Sequence, residues 1–318
     1  MDIKILAEEI IQGRRLKRED DLSFFAIVDL EQLCQGADQI RQELCGDEVD
    51  LCSIINGRSG GCSEDCKFCA QSSFHNTHIQ EYNFLEPQVI LEDCKKHADK
   101  GVHRYSIVTA GRDLTGDDLQ KACTAYQRMK EECEIDLCAS HGLLSREAFV
   151  ALKASGVTMY HENIETSKRN FSNICTTHTY DDKIDGIKLA QSLGFKVCSG
   201  GIIGMGETFE DRLDMAISLA ELNIESIPIN ALMPIKGTTY EDLKPLTEDE
   251  ILRTIAMFRF INPTAKIRLA AGRSLMKDSG REAFHAGANA TITGDLLTTS
   301  GNNINQDKEM LIQMGFRI

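Results

Sequence analysis

Three thiols in Cys62-Ser-Glu-Asp-Cys66-Lys-Phe-Cys69 carry the strongest chemical signal in the chain. Their C-x3-C-x2-C spacing, on a loop opened by Gly60 and Gly61, lets all three converge on one small object, and an iron–sulfur cubane suits it. Four irons against three local thiolates leave one iron open to an exogenous ligand, so chemistry is expected there. The plainer alternative is tetrahedral zinc completed by His75 or His78. The x3-then-x2 spacing, with Phe68 ahead of the last cysteine, is uncommon for zinc and favours the cluster.

Three further constellations lie downstream. In Cys198-Ser-Gly200-Gly201-Ile202-Ile-Gly204-Met-Gly-Glu207 a strand runs into glycines that let backbone approach a ligand. Alone, such a cluster reads as a tight turn. In Tyr160-His161-Glu-Asn163-Ile-Glu165-Thr-Ser167 polar groups crowd a stretch that a buried strand would fill with apolar residues. Asn163 and Glu165, with His161, share one face and are the ligand candidates, whereas Thr166 and Ser167 could equally cap a helix. Cys138 and Cys198, taken singly, are small core residues. Together with Arg268 they would put two thiols and a guanidinium inside one core, and the guanidinium must then meet an anion, a cluster or a carboxylate.

Positioning these residues takes a repeated strand–helix architecture. Residues 1–46 carry helical stripes (Ile3, Leu6, Ile10, then Leu30, Leu33, Ile40, Leu44) and read as a helical cap. From residue 47 to 318 short β-branched runs alternate with amphipathic stretches: strands at 51–55, 105–109, 136–140, 157–163, 196–203, 226–230, 266–270 and 290–292, helices at 88–99, 117–132, 146–154, 180–193, 209–222 and 248–261. Eight such units imply parallel pairing and an α/β TIM-type (β/α)8 barrel with an N-terminal helical extension. In a barrel the C-terminal strand ends form the active face, which would gather the cysteine loop, Asn163, Glu165, Cys198 and Asn230 at one mouth. Composition narrows the partners. A formal net charge of -14 disfavours nucleic acid, no apolar window suits a membrane span, and the start lacks a basic export signal. Twelve cysteines in such a chain point to metal ligation or free thiols in a reducing cytoplasm rather than to disulfides.

The cysteine loop resembles that of the radical S-adenosylmethionine enzymes, in which the open iron chelates S-adenosylmethionine and one electron releases a 5′-deoxyadenosyl radical. Gly200-x-Ile202-x-Gly204-x-x-Glu207 resembles the motif that lines adenine and ribose in that family. With 228-Pro-Ile-Asn230-Ala-Leu, Arg268-Leu-Ala-Ala-Gly-Arg273 and Gly287-Ala-Asn-Ala290 added, the resemblance sharpens to the biotin synthases and covers most of the chain beyond the first helices. That implies radical insertion of sulfur into dethiobiotin, with a deeper auxiliary iron–sulfur cluster as sulfur donor. It implies Cys62, Cys66 and Cys69 on the 4Fe–4S cluster; Gly200, Gly201, Ile202, Gly204, Glu207, Asn163 and Glu165 around the cofactor; and Asn230 and His161 on substrate. A one-electron reductant such as flavodoxin or ferredoxin and a homodimer are implied likewise. The family holds its auxiliary 2Fe–2S cluster with three strand cysteines and an arginine; Cys138, Cys198 and Arg268 match, but the remaining position is Ser106, a poor substitute for thiolate. The expectation is therefore a rearranged auxiliary site of Cys138, Cys175 and Cys198, 4Fe–4S rather than 2Fe–2S. A related radical enzyme without sulfur insertion, such as a hydrogenase-cofactor maturase or a pyrrolysine-pathway mutase, is the competing reading; a zinc module is the third.

Overall fold

Nine strands, β1 (Asp50–Arg58), β2 (Arg104–Thr109), β3 (Asp136–Ser140), β4 (Met159–His161), β5 (Lys196–Cys198), β6 (Gly201–Ile203), β7 (Ser226–Ala231), β8 (Lys266–Leu269) and β9 (Ala290–Ile292), pair in parallel in the computed structural model. It describes residues 1–295, 297 and 301–318. β1 is bonded to both β2 and β9, and β7 to β5 as well as β6, so the sheet closes. The register runs Cys198↔Ser226 and then Gly201↔Ile229 against β7, so β5 and β6 are two halves of one stave. The result is the expected eight-stave TIM-type barrel.

The break in the fifth stave has a local cause. Pro228 on β7 has no N–H to give its neighbour, and a Cβ on Gly200 would lie 2.0 Å from the Pro228 carbonyl oxygen. The Gly200 N–H is donated to Asn163 Oδ1 at 3.0 Å. The run expected over 196–203 is thus interrupted where two backbones approach closely. Likewise the fourth strand ends at His161, and its polar continuation bends across the mouth.

The α-helices among the described residues are α1 (Ile3–Ile11), α2 (Leu30–Cys45), α3 (Pro87–Ala98), α4 (Gly116–Glu132), α5 (Arg146–Ala154), α6 (Lys168–Ile174), α7 (Tyr180–Ser192), α8 (Phe209–Glu221), α9 (Glu248–Ile261), α10 (Arg281–His285) and α11 (Ile304–Gln313). The capping chemistry sets their starts: Thr179, Thr208 and Thr247 each form a reciprocal capping box with an acidic residue three positions on. α6 is absent from the sequence expectation, yet its signal was Ser167, whose side chain accepts from the Asn170 N–H. α2 packs along the outside of α9 and α1 packs on α2: a Cβ on Gly36 of α2 would meet Phe260 at 2.8 Å and Ile3 at 2.9 Å. Covered on both sides, α9 is buried nearly all round, which explains its run Ile255-Ala-Met-Phe-Arg-Phe-Ile261. No helix among the described residues is long and apolar enough to cross a membrane.

One buried group held against α4 gives the fold a pH dependence. His141 is fully buried, with Thr109 Oγ1 3.0 Å from Nδ1 and the Tyr126 hydroxyl 3.2 Å from Nε2. Burial, aided by nearby Arg58, lowers its pKa from the 6.5 of a free imidazole to about 3. The unfolded chain therefore binds the extra proton in this window, so stability is complete above the unfolded value and falls as pH drops through it. Between pH 7 and 5 the loss from this site is on the order of 2 kcal/mol. Urea midpoints at the two pH values should differ in the wild-type chain and differ less in His141→Gln; equal pH dependence in both would remove His141 as the cause.

Candidate active site

The cysteine loop leaves β1 through Gly60 and Gly61, both at positive φ (77° and 62°). Backbone bonds then fix its course: Cys62 N–H to Gln71 O at 3.0 Å, Ser73 N–H to Cys62 O at 2.8 Å, and Lys67 N–H to Ile174 O at 2.9 Å. The Gln71 side chain accepts from Gly60 N–H and from Asn56, both at 3.2 Å. The loop is thus held by backbone bonds in which its thiols take no part. His75, the zinc alternative, places Nδ1 2.8 Å from Cys69 O and Nε2 3.2 Å from Thr239 Oγ1, and His78 is exposed. Both ring nitrogens of His75 face oxygen partners rather than the thiols. Three sulfur donors and one stave-end mouth fit a cubane with an open iron.

Around the same mouth, Asn163 links two elements, accepting from Gly200 N–H and donating to Glu165 Oε2 at 3.3 Å. Glu165 adopts φ 65°, a left-handed conformation unfavourable for a side chain of its size. It is held there by two bonds to the broken stave, Glu165 N–H to Gly200 O at 3.2 Å and Ile202 N–H to Glu165 O at 2.9 Å. A Cβ on Gly201 would come within 2.3 Å of that same carbonyl oxygen. Strain of this kind is found where a site needs one side chain in one place. Burial raises the Glu165 carboxyl above its ordinary range, against the pull of Lys183 and His161. Lys183, from α7, is ion-paired with the buried Glu162. The one signal for Lys183 in the sequence is a cation on an otherwise acidic helix start.

Of two expected contacts, one is committed to the chain itself and the other is only partly so. Glu207 accepts from Gly204 N–H and Met205 N–H, both at 2.7 Å, and from Arg212 Nε at 2.7 Å. Its side chain is 1% exposed, so it shapes the glycine turn rather than meeting a ribose. Gly204, at φ 93°, makes that turn. Asn230 donates to Gly201 O and accepts from Ala271 N–H, each at 3.1 Å, tying β6 to the segment after β8. One amide hydrogen and one lone pair remain for a ligand. Ile202 is half-buried between these residues.

Deeper in the barrel, Cys138, Met159 and Cys198 form a core cluster separate from the main one. The inward alternation of neighbouring strands adds Cys52 on β1, Ser106 on β2 and Arg268 on β8. Burial pushes the Cys52 thiol up to about 11, with Arg268 opposing and Cys198 among its charged neighbours. The Cys138 thiol is raised further by burial, then by Cys198 and Cys52. Ser106 Oγ is buried beside the Cys138 thiol and has no partner of regular hydrogen-bond geometry. His161 belongs here too: it pairs with Cys198 across β4 and β5, and their contact raises its pKa against the opposing effect of burial.

Arg268, 2% exposed, finds the carboxylate that its burial demanded. Its guanidinium bonds Asp50 Oδ1 and donates to Asp50 O at 3.2 Å and Thr291 O at 3.1 Å. Burial alone would raise the Asp50 carboxyl, but Arg268 and Lys266 outweigh it and hold it well below the carboxylate range. Cys175 corrects the sequence expectation: it does not join Cys138 and Cys198. It follows α6, and its Sγ lies 3.7 Å from Cys66 Sγ at the cysteine loop. Cys52, by contrast, falls inside the strand expected at 51–55, which sets it apart from the cysteines in helices.

Comparison with known proteins agrees with this arrangement. Residues 58–219 match the Radical SAM superfamily and residues 228–317 the Biotin and Thiamin Synthesis associated domain. Over 318 residues, all of both chains, the protein is 81% identical to a biotin synthase of Alkaliphilus metalliredigens. It is 67% identical to that of Clostridium beijerinckii, covering 98% of this chain and 99% of the relative. Among solved structures, methylornithine synthase superposes with a TM-score of 0.86 at 20% identity over 98% of this chain and 96% of that one. The FeFe-hydrogenase maturase of Carboxydothermus hydrogenoformans gives 0.83 at 15% identity, over 99% of this chain and 78% of that one. These two likenesses show the shared barrel, and the sequence identities separate this chain from both: it belongs to the biotin synthase family of the Radical SAM superfamily.

Proposed function

We propose that the chain converts dethiobiotin to biotin by inserting one sulfur atom, with Cys62, Cys66 and Cys69 holding the cubane that binds S-adenosylmethionine. When bound, that pair supplies a 5′-deoxyadenosyl radical able to abstract hydrogen from unactivated carbon. The chain's own residues position the reactants. Gly200 and Gly201 let backbone approach the cofactor, Asn163 and the strained Glu165 present hydrogen-bonding groups to it, and Asn230 offers its free amide hydrogen to the substrate's ureido ring. A one-electron reductant such as a flavodoxin or ferredoxin, a homodimer and a cytoplasmic location extend the same reading.

The observation that carries sulfur insertion is the thiol pocket in the barrel floor. We assign the auxiliary cluster to Cys52, Cys138 and Cys198, Cys52 supplying from β1 the thiol that Ser106 lacks on β2. Arg268 remains a cation, because Asp50 holds its proton in place. It faces the cluster as a donor and positive charge rather than as a ligand, which favours a 4Fe–4S type over the arginine-ligated 2Fe–2S type. Iron and sulfide analysis with Mössbauer spectroscopy on reconstituted protein tests the set. Cys52→Ala, Cys138→Ala and Cys198→Ala should each lose the auxiliary signal and biotin formation while keeping 5′-deoxyadenosine formation, and Cys175→Ala should keep the auxiliary signal. Full auxiliary iron in Cys52→Ala would overturn the assignment.

A further inference from the structure

Cys175 and His178 are placed on neither cluster, yet with Cys66 they form a group of three ligand-type atoms lying within 4.8 Å of one another. Cys66 Sγ and Cys175 Sγ are 3.7 Å apart. A tetrahedral ion with metal–sulfur bonds of about 2.3 Å spans two thiolates by about 3.8 Å, so these sulfurs stand where two ligands of one ion would stand. Thiolates on different irons of a cubane are spread wider, by an iron–iron edge and two outward bonds. The His178 ring lies against Cys175 Sγ, with Nδ1 at 3.3 Å and Nε2 at 3.8 Å, and Nδ1 is also 2.5 Å from Glu64 Oε2. A carboxylate on one ring nitrogen fixes the tautomer and presents the other nitrogen to a metal. Cys175, His178 and Glu64 are all buried, while Asp65 Oδ1, 3.1 Å from Cys175 Sγ, is engaged by the Thr176 and Thr177 N–H groups, which leaves the fourth position to water. Charge also fits: two thiolates neutralise a divalent ion, and Glu64 is balanced by Arg112 at 3.3 Å.

We propose that in the cluster-free chain Cys66, Cys175 and His178 together hold a single thiophilic divalent cation, ferrous iron or zinc, at the cysteine loop. Binding is a ligand exchange without electron transfer: two thiol protons pass to solvent and coordinated waters leave as the two metal–sulfur bonds and the metal–nitrogen bond form. Because Cys66 is common to this site and the cubane, the two occupants exclude one another, a point that alone rests on the proposed cluster assignment. With ferrous iron the site is a first holding position for loading the loop. With zinc it is a block to loading.

Cobalt(II) is the probe, since tetrahedral thiolate ligation gives it strong near-ultraviolet charge-transfer and visible bands. The full chain, stripped of metal under anaerobic reducing conditions, should bind one cobalt with these bands, and zinc or ferrous iron should displace it. Cys175→Ala and His178→Ala should each weaken binding at least about tenfold, and Glu64→Gln should weaken it less. Adding iron and sulfide to wild type should release the cobalt as the cubane forms. Each variant is first shown to melt like wild type and to take up the loop cubane, with Cys175→Ser as the alternative should Cys175→Ala fail to fold. A folded variant that loads the cubane but not cobalt supports the site; cobalt spectra and affinity unchanged in Cys175→Ala and His178→Ala overturn it. Failure of wild type to form a cubane would count against the functional reading and leave the cobalt result standing.

Discussion

Cys69→Ala should fold, lose the irons of the loop cluster and form 5′-deoxyadenosine from S-adenosylmethionine at least about a thousandfold more slowly, a barrier change of about 4 kcal/mol. The variant should fold because the loop is held by backbone bonds, including Cys62 N–H to Gln71 O and Lys67 N–H to Ile174 O, in which the Cys69 thiol takes no part. Loss of chemistry follows from ligand count: two thiolates on four irons leave two open, and a cubane so exposed is released. Cys69 is the better choice than Cys66, which also contacts Cys175. Burial pushes the Cys69 thiol up to about 11, so metal-free protein holds its proton at neutral pH and cluster binding must expel it. Iron content and anaerobic turnover with a chemical reductant measure both effects. Near-normal 5′-deoxyadenosine formation by a folded Cys69→Ala would remove the loop from the chemistry.

The barrel was legible in the sequence because strand and helix periods differ and the caps are explicit: Thr208 and Thr247 with their acidic partners mark helix starts without any tertiary information. What escaped was set by tertiary contact. Nothing in the run 196–203 reveals that Pro228 will face Gly200 and split the stave. Glu207 has the position of a ligand contact in its motif, and only the turn's own amides show that its oxygens are already engaged. Ser106 makes a third thiol desirable at the deeper site and Cys175 is the expected substitute, but α6 intervenes and returns it to the loop instead. Cys52 shows the reverse failure, since alternation along β1 places it inward beside Ser106's strand, and that parity was present in the sequence.

Asp50→Ala is expected to destabilise the chain by about 3–5 kcal/mol, because it leaves Arg268 as an uncompensated charge in the barrel floor. Both partners are buried, and Lys266 and Arg104 complete a cationic ring around this one carboxylate. The pH response has a definite sign. The folded-state pKa of Asp50 lies below its ordinary 3.8, so its contribution is complete above that value and is lost as pH falls below it. Urea unfolding at neutral pH measures the loss, and a change under about 1 kcal/mol would mean that the floor relaxes to let water reach Arg268. The double variant Asp50→Leu with Arg268→Met separates the two roles of the pair. Replacing a buried ion pair by apolar groups of similar volume is often neutral, so stability should largely return. The auxiliary iron should not return, because the cation facing Cys52 and Cys198 has gone with it. If both return, the pair serves the fold alone; if stability returns without the iron, the charge in the barrel floor is retained for the cluster it faces.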